Sequence, residues 1–463
     1  MPTVADTLAD LVRPLLGEPL PVRLRGWDGS AAGPATGPTV VLRSPKALRY
    51  LLWAPGELGL ARAYVTGELD VDGDVGDGLR QVWAAVRERD LAPRLTPGVL
   101  ARGAIALSRL GAVGRPLPPP AAEARPRGRL HSKRRDAAVI SHHYDLSNAL
   151  YTLLLDEHMA YSCAYWTDSP VGGASTYSLV DAQRDKLDLI CRKLDLRPGA
   201  RLLDVGCGWG ALSVHAAKEY GAHVTGVTIS REQLAFGQGR VAAEGLEHLV
   251  DLRLQDYRDV AISGPAEAFD AITAIEMGEH VGAGNYAVFL AKLHGLLRDE
   301  GRLLVQQMSH GSRLDKDPHP GGGPFIERYI APDMHMRPVH ETVGLIERAG
   351  FEVRDVHALR EHYVRTVEAW HEEFERRWDD VVSLVGIEQA RVWRLYLVGG
   401  ALAFEQNRMG VDQILSVKPT ADGRSGMPPT RLGWEPHVMH DVPPAPPRPR
   451  RQPPARRRSS DSE

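Results

Sequence analysis

Asp204-Val-Gly206-Cys207-Gly208-Trp-Gly210 is the stretch whose residue types and spacing most directly imply chemistry. Alternating glycines let the backbone approach a ligand closely and turn its amides toward it. A dinucleotide site needs G-x-G-x-x-G and an acid near the end of the second strand. Here the spacing is G-x-G-x-G, and the next strand pattern runs Thr225-Gly-Val-Thr228-Ile-Ser-Arg-Glu-Gln233 with no acid at its tip. Asp204, ahead of the first glycine, fits a ligand bearing an amino-acid group. Together these features favour S-adenosylmethionine over a nicotinamide dinucleotide. Cys163, Cys191 and Cys207 form no CxxC pair, and His310, His319 and His335 are irregularly spaced among Gly and Pro, so no metal site is expected.

The elements that must position this loop alternate in type. Arg201-Leu-Leu-Asp-Val reads as a buried strand and Ala211 to Tyr220 as a helix. Ala222-His-Val-Thr-Gly-Val-Thr-Ile is a second strand, followed by a helix from Arg231 to Glu244. Val250-Asp-Leu-Arg-Leu, Phe269-Asp-Ala-Ile-Thr-Ala-Ile and Gly301-Arg-Leu-Leu-Val-Gln-Gln are further strands. This rhythm predicts an α/β fold with a mainly parallel, doubly wound sheet over residues 138–424.

Residues 1–118 read as a small α+β domain. It opens with a helical stripe of Val4, Leu8, Leu11, Val12 and Leu15, which Pro14 should end or bend. Residues 119–137 are a Pro/Arg-rich linker whose basic end could lie on an anionic surface. Residues 425–463 are Pro/Arg-rich, short of apolar residues, and expected to be disordered. The 463 residues carry 56 Lys+Arg against 59 Asp+Glu, a net charge of -3, so no nucleic-acid partner is expected. No apolar run is long enough for a membrane span, and the first residues lack the basic region of a secretory signal, which makes a cytoplasmic location the default.

The motifs resemble those of the cyclopropane-fatty-acyl-phospholipid and mycolic acid cyclopropane synthases. The likeness rests on Ser141-His-His143-Tyr144-Asp145-Leu-Ser-Asn148, Met159-Ala-Tyr161-Ser162-Cys163-Ala-Tyr-Trp, the glycine loop, Gly226 to Gln233, Gln255-Asp256-Tyr257-Arg-Asp259, Glu279-His280-Val-Gly282 and Ile326 to Pro332. Seven motifs in order cover about 138–418. Gly59-Leu-Ala-Arg-Ala-Tyr-Val-Thr-Gly-Glu-Leu is similar, more weakly, to the family's lipid-binding N-terminal domain. The resemblance implies a class I, Rossmann-like methyltransferase that adds a carbon from S-adenosylmethionine to a cis double bond of a membrane phospholipid. A carbocation forms and a base removes a proton. The resemblance also implies cofactor contacts at Tyr161, Ser162, Asp204, Gly206, Cys207, Gly208, Gly210, Thr228, Gln233, Asp256, Tyr257 and Ile275. His142 and His143 would lie in a lid near the cofactor.

The base is where the sequence departs from the family. There a bicarbonate ion is held by a Glu, a His, a Tyr and the amide of a Cys. Glu279, Tyr363 and Cys163 match the Glu, Tyr and Cys, but Gln306 replaces the His, and Glu276 replaces a Gly in the loop before Glu279-His280. Gln306 cannot become cationic, and Glu276 adds a negative charge, so bound bicarbonate is doubtful. Either Glu276 or Glu279 takes over as base, or Glu276 sits behind a bicarbonate that is still bound. Two close carboxylates would raise one pKa toward neutrality.

The sequence also looks like the actinobacterial branched-chain members of the family, which make 10-methylene-stearoyl chains from oleoyl phospholipid on the way to 10-methylstearate (tuberculostearic acid). Tyr329-Ile-Ala-Pro-Asp-Met-His-Met-Arg-Pro338 and Trp393 to Phe404 carry that likeness. Methylene formation is favoured over ring closure. A separate reductase would then saturate the product, and a homodimer on the inner membrane face, touching anionic lipid, is expected. The alternatives are a cyclopropane synthase, a small-molecule methyltransferase and a non-catalytic lipid or cofactor binder. Gly321-Gly-Gly-Pro reads as a flexible loop at the acyl channel, and Trp370, Phe374 and Trp378 as core.

Overall fold

The computed structural model describes residues 2–88, 97–124, 135, 148–168, 177–311 and 321–434. His142, His143, His319 and the basic residues 125–134 lie outside the described residues.

Two sheets organise the chain. Helix α1 (Val4–Leu16) starts on a Thr3–Asp6 capping box. Pro14 stands in its last turn and does not end it; Gly17 closes the helix by donating to the Arg13 carbonyl. A four-stranded sheet follows, ordered β2 (Ala31–Ala32), β1 (Arg23–Arg25), β3 (Thr39–Leu42), β4 (Leu69–Asp72). Helices α2 (Pro45–Trp53), α3 (Glu57–Val65), α4 (Val75–Glu88) and α5 (Pro97–Arg109) complete this part. Leu8, Leu24, Leu48, Tyr64 and Leu69 form its core.

After α6 (Asn148–Leu154) and α7 (Leu179–Lys193) comes the glycine-loop unit, β5 (Arg201–Val205) and α8 (Ala211–Tyr220). The chain continues through β6 (His223–Thr228), α9 (Arg231–Ala243), β7 (Val250–Leu254), β8 (Phe269–Ile275), α10 (Tyr286–Leu296) and β9 (Leu297–His310). Then follow α11 (Pro324–Tyr329), α12 (Val339–Arg348), β10 (Glu352–Ala358), α13 (Arg360–Arg376), α14 (Trp378–Val385), α15 (Ile387–Glu405) and β11 (Met409–Val417). The seven-stranded sheet runs β10-β11-β9-β8-β5-β6-β7. Pairings from β7 through β9 are parallel, and β11 is antiparallel to both neighbours. The sheet is therefore the mainly parallel, doubly wound α/β type that the strand–helix rhythm predicts. The order reverses at β5, and the crevice at such a switch point, beyond the carboxyl ends of the strands, is where these sheets bind ligands.

The two parts touch through α3 and α15. Arg391 donates to the Tyr64 carbonyl (2.8 Å) and pairs with Asp70 (2.8 Å), and Glu57 accepts from the Phe325 amide. The Glu57 carboxylate lies where a Cβ on Gly323 would stand, so Gly321-Gly-Gly-Pro is pinned at its C-terminal side. Of the C-terminal tail, residues 425–434 are described: Trp434 is buried in the core beside α7, and Arg431 pairs with Asp355 at 2.8 Å. Trp370 and Phe374 are core residues, with Trp378 packed against them.

Candidate active site

A cavity opens at the switch point. Of the expected cofactor residues, Tyr161, Ser162, Asp204, Gly206, Cys207, Gly208, Thr228, Gln233, Asp256, Tyr257 and Ile275 all line it. Gly210 does not. It sits left-handed (φ 84) at the start of α8, where the helix packs close to Gly237. Gly206 also has positive φ (78), and a Cβ there would come 3.0 Å from the Met277 side chain. Asp204 is buried, with one carboxylate oxygen accepting from Ser213 (2.8 Å) and the other from Thr273 (3.0 Å). It braces the loop from below rather than reaching out as a bare acid. Thr228 donates to Gln233 (2.9 Å), and Asp256 is gripped by Arg258 (2.8 and 2.6 Å). Rigid amides, a buried acid and aromatic rings suit a ligand with an amino-acid end and a ring system, so the residues fit S-adenosylmethionine.

The segment carrying Tyr161, Ser162 and Cys163 has no regular structure and is held by α7. Gln183 donates to the carbonyls of Ala160 (3.1 Å) and Ser162 (2.9 Å). Lys186, buried in the cavity wall, donates to the Ser162 hydroxyl (2.9 Å). Lys186 went unrecognised in the sequence, where a lysine on an amphipathic helix reads as solvent-facing.

The remaining candidates converge on Glu276, which follows β8 with a left-handed backbone (φ 49). One carboxylate oxygen accepts from the Cys163 amide (2.7 Å) and from Gln306 Nε2 (2.9 Å). The other accepts from the Tyr363 hydroxyl (2.5 Å). The Cys163 amide and Tyr363 are donors that the resemblance assigns to bicarbonate, and Gln306 stands in place of the His; here all three are taken by a side chain. Bicarbonate does not fit the site as it stands. Glu276 is half-buried and faces the cavity. Burial raises its pKa, against the hydrogen bond from Tyr363, those from Cys163 and Gln306, and the Lys186 charge.

Glu279, in the turn Gly278–His280, is buried behind it. One of its oxygens accepts from the Met308 amide; the other has no partner among the described residues. Burial, with the neighbouring Glu276 charge, pushes Glu279 up to about 8. Arg337, stacked 4.2 Å over Tyr286, supplies a weaker opposing charge. Glu279 does not line the cavity, whereas His280 does, and burial lowers His280 to about 4, so its ring is neutral. The Cys163 thiol is fully buried and raised by burial, so only its amide is available for function. An aromatic wall stands beside the carboxylate: Tyr363 packs on Phe404 (4.4 Å), Tyr161 on Trp370 (5.2 Å), and the Tyr161 and Tyr396 hydroxyls are hydrogen-bonded (3.0 Å). Such faces suit a developing cation.

Comparison with known proteins agrees with this geometry. Residues 131–414 match the family model described as mycolic acid cyclopropane synthetase. A probable fatty acid methyltransferase of Pseudomonas putida is 39% identical over 92% of this chain and 98% of its own length. The tuberculostearic acid methyltransferase UfaA1 of Mycobacterium tuberculosis is 32% identical over 85% of this chain and 87% of its own. The crystal structure of mycolic acid cyclopropane synthase CmaA1 complexed with SAH and CTAB superposes with a TM-score of 0.55 at 29% identity, covering 60% of this chain and 97% of that one. With the glycine loop, the cavity and the Glu276 cluster in place on a class I methyltransferase sheet, the chain belongs to the mycolic acid cyclopropane synthetase family of S-adenosylmethionine-dependent methyltransferases.

Proposed function

We propose that the protein adds a one-carbon unit to the cis double bond of an oleoyl chain in a membrane phospholipid, with Glu276 as the base and a 10-methylene-stearoyl chain as the product. The observation that carries this reading is the Glu276 carboxylate seated on Cys163, Gln306 and Tyr363. S-adenosylmethionine, when bound, supplies an electrophilic methyl group. An alkene is a poor nucleophile, so the residues around the cavity must hold the reacting carbons in line. Methyl transfer to one alkene carbon breaks the methyl–sulfur bond, the electron pair leaving with the neutral thioether, forms a carbon–carbon bond and leaves a cation on the neighbouring carbon, beside the aromatic wall. A hydride shift moves the cation to the methyl-bearing carbon. Glu276 then takes a proton from the added carbon, whose C–H pair becomes the exocyclic double bond. Burial raises the carboxylate's proton affinity, while the donors from Tyr363, Cys163 and Gln306 favour its ionised form.

The methylene product leaves the substrate's oxidation level unsaturated, so a separate reductase is needed to reach 10-methylstearate. Among the described residues no helix is long and apolar enough to cross a membrane, and the reading places the protein on the inner membrane face. Proton NMR of dioleoyl phospholipid recovered after incubation with protein and S-adenosylmethionine tests the product. Vinylidene protons are expected. Upfield cyclopropyl protons would assign ring closure instead, and unchanged lipid would refute acyl-chain methylation.

A further inference from the structure

Gln306 presents an ambiguity of direction. A primary amide has a donor end and an acceptor end, and only the donor end helps an anionic Glu276. On the near side the Cys163 carbonyl also accepts from Gln306 Nε2, at 3.4 Å, and the amide's other end is held from elsewhere. Gln306 lies on β9 opposite Gln413 of β11, and Gln413 lies opposite His357 of β10. Gln413 Nε2 donates to Gln306 Oε1 at 2.9 Å. Lys193, the last residue of α7, crosses this row, and its Nζ donates to Gln413 Oε1 at 3.1 Å. Lys193 Nζ also lies 3.2 Å from His357 Nδ1 on β10 and pairs with Asp355 (3.1 Å), whose other oxygen takes Arg431 (2.8 Å) from the C-terminal segment. Lys193, Gln306 and Gln413 are all buried.

We propose that Lys193 and Gln413 are positioning residues that lock the Gln306 amide with its NH2 toward Glu276. The lysine nitrogen only donates, so the Gln413 oxygen must face it. Gln413 therefore turns its NH2 to the Gln306 oxygen, and Gln306 has only its NH2 left for Glu276. The direction is fixed at the lysine and carried through two amides, across two strands, to the reacting carboxylate. This rests on the reading of Glu276 as base. The other groups around Glu276 are Lys186 from α7, the Cys163 amide, Tyr363 from α13, Tyr396 from α15, and Glu279. The Cys163 carbonyl (3.4 Å) holds the NH2 end of Gln306, and Gln413, oriented by Lys193, holds the oxygen end.

The test is the pH profile of kcat/KM on dioleoyl phospholipid vesicles. In Gln413→Glu the new carboxylate keeps Lys193 paired but can only accept, so it draws the Gln306 NH2 away and turns its oxygen onto Glu276. The ascending limb should move up by about one pH unit, a roughly tenfold loss of rate on that limb. Lys193→Met should move it the same way by less, because the amides become free to turn. Lys193→Arg, also donor-only, should restore the wild-type profile. Lower melting temperatures with an unmoved limb in both Gln413→Glu and Lys193→Met would overturn the relay. Glu276→Gln, assayed alongside, separates the two ideas. Near-wild-type activity there refutes Glu276 as base, whereas an inactive Glu276→Gln with unmoved limbs in the other two refutes the relay alone.

Discussion

Replacing Glu276 by glycine should convert the protein from a self-supplied base to a borrowed one. Glu276 holds φ 49, a left-handed conformation that costs an L-residue about 1–2 kcal/mol. Glycine releases that strain but pays roughly 0.5–1 kcal/mol in unfolded-chain entropy, so the backbone change is close to neutral. Loss of the carboxylate is not. It removes a proton acceptor in contact with the cavity, and positioned acid–base groups contribute about 10²- to 10⁴-fold in rate. It also strands the Cys163 amide, Gln306 Nε2 and the Tyr363 hydroxyl as three converging donors. Buried donors without a partner cost about 1–3 kcal/mol each, which is the driving force for an anion to enter. Glu276→Gly in carbon-dioxide-free buffer should therefore fall at least a hundredfold, and added bicarbonate should recover much of the loss. Glu276→Gln keeps the space filled, offers its oxygen to Cys163 and Gln306 and its NH2 to the Tyr363 oxygen, and should stay inactive with or without bicarbonate. The assay is turnover of S-adenosylmethionine on dioleoyl phospholipid vesicles. Full activity of Glu276→Gly without bicarbonate, or equal bicarbonate response in both variants, would refute the idea that this side chain occupies an anion site.

Three further outcomes follow from the same geometry. Lys186→Met removes the cation beside Ser162, Asp204 and Glu276, so cofactor binding by calorimetry should weaken about tenfold and the ascending pH limb should rise. Gly206→Ala forces a Cβ into a left-handed position 3.0 Å from Met277; thermal melts should show a loss of about 1–2 kcal/mol and calorimetry a weakened cofactor. Glu279, pushed up to about 8, binds its proton more tightly folded than unfolded, so its contribution is present at acid pH and lost as pH rises from its ordinary value through about 8. The melting-temperature advantage of Glu279→Gln over the wild type should grow from pH 5 to pH 8 and then level; a constant difference would refute the burial argument.

The strands around the glycine loop were legible because each is a short apolar run ending in a turn signal, and β5 and α8 fall where the pattern puts them. The antiparallel β10 and β11 were not read. Val411 to Val417 carries Asp412, Gln413 and Ser416 among apolar residues, and all three are buried, so the polar members hide the strand pattern. Pro14 does not itself end the helix, which runs two residues further to Leu16: a proline in the last turn loses one hydrogen bond, which tertiary packing of Leu8 and Ala9 outweighs. Among the candidate site residues, Glu276 and Gln306 stood out as departures from the pattern of the family the sequence resembles, and the structure brings the two side chains together. Lys186 and Lys193 did not stand out. They are seven residues apart on one face of α7, and both are buried, against the rule that lysines face water.

Those two lysines explain why a carboxylate can be built into this wall at all. An isolated buried carboxylate escapes its desolvation cost by taking up a proton, and a protonated Glu276 is no base. Hydrogen bonds from Cys163, Gln306 and Tyr363 favour the ionised form, but Glu279 sits behind and Asp204 and Asp156 lie around Lys186. Glu276, Asp156 and Asp204 thus all act on Lys186. Lys186 offsets them by direct charge, and Lys193 acts at a distance by fixing the polarity of an amide. The resulting balance is uneven: Glu276, with three donors, is the better ion, and Glu279, with one oxygen unpartnered, is the better holder of a proton. On the proposed reading, two carboxylates pushed apart in this way divide the work, the one that lines the cavity meeting the substrate and the one behind it holding a proton so that it does not suppress its neighbour.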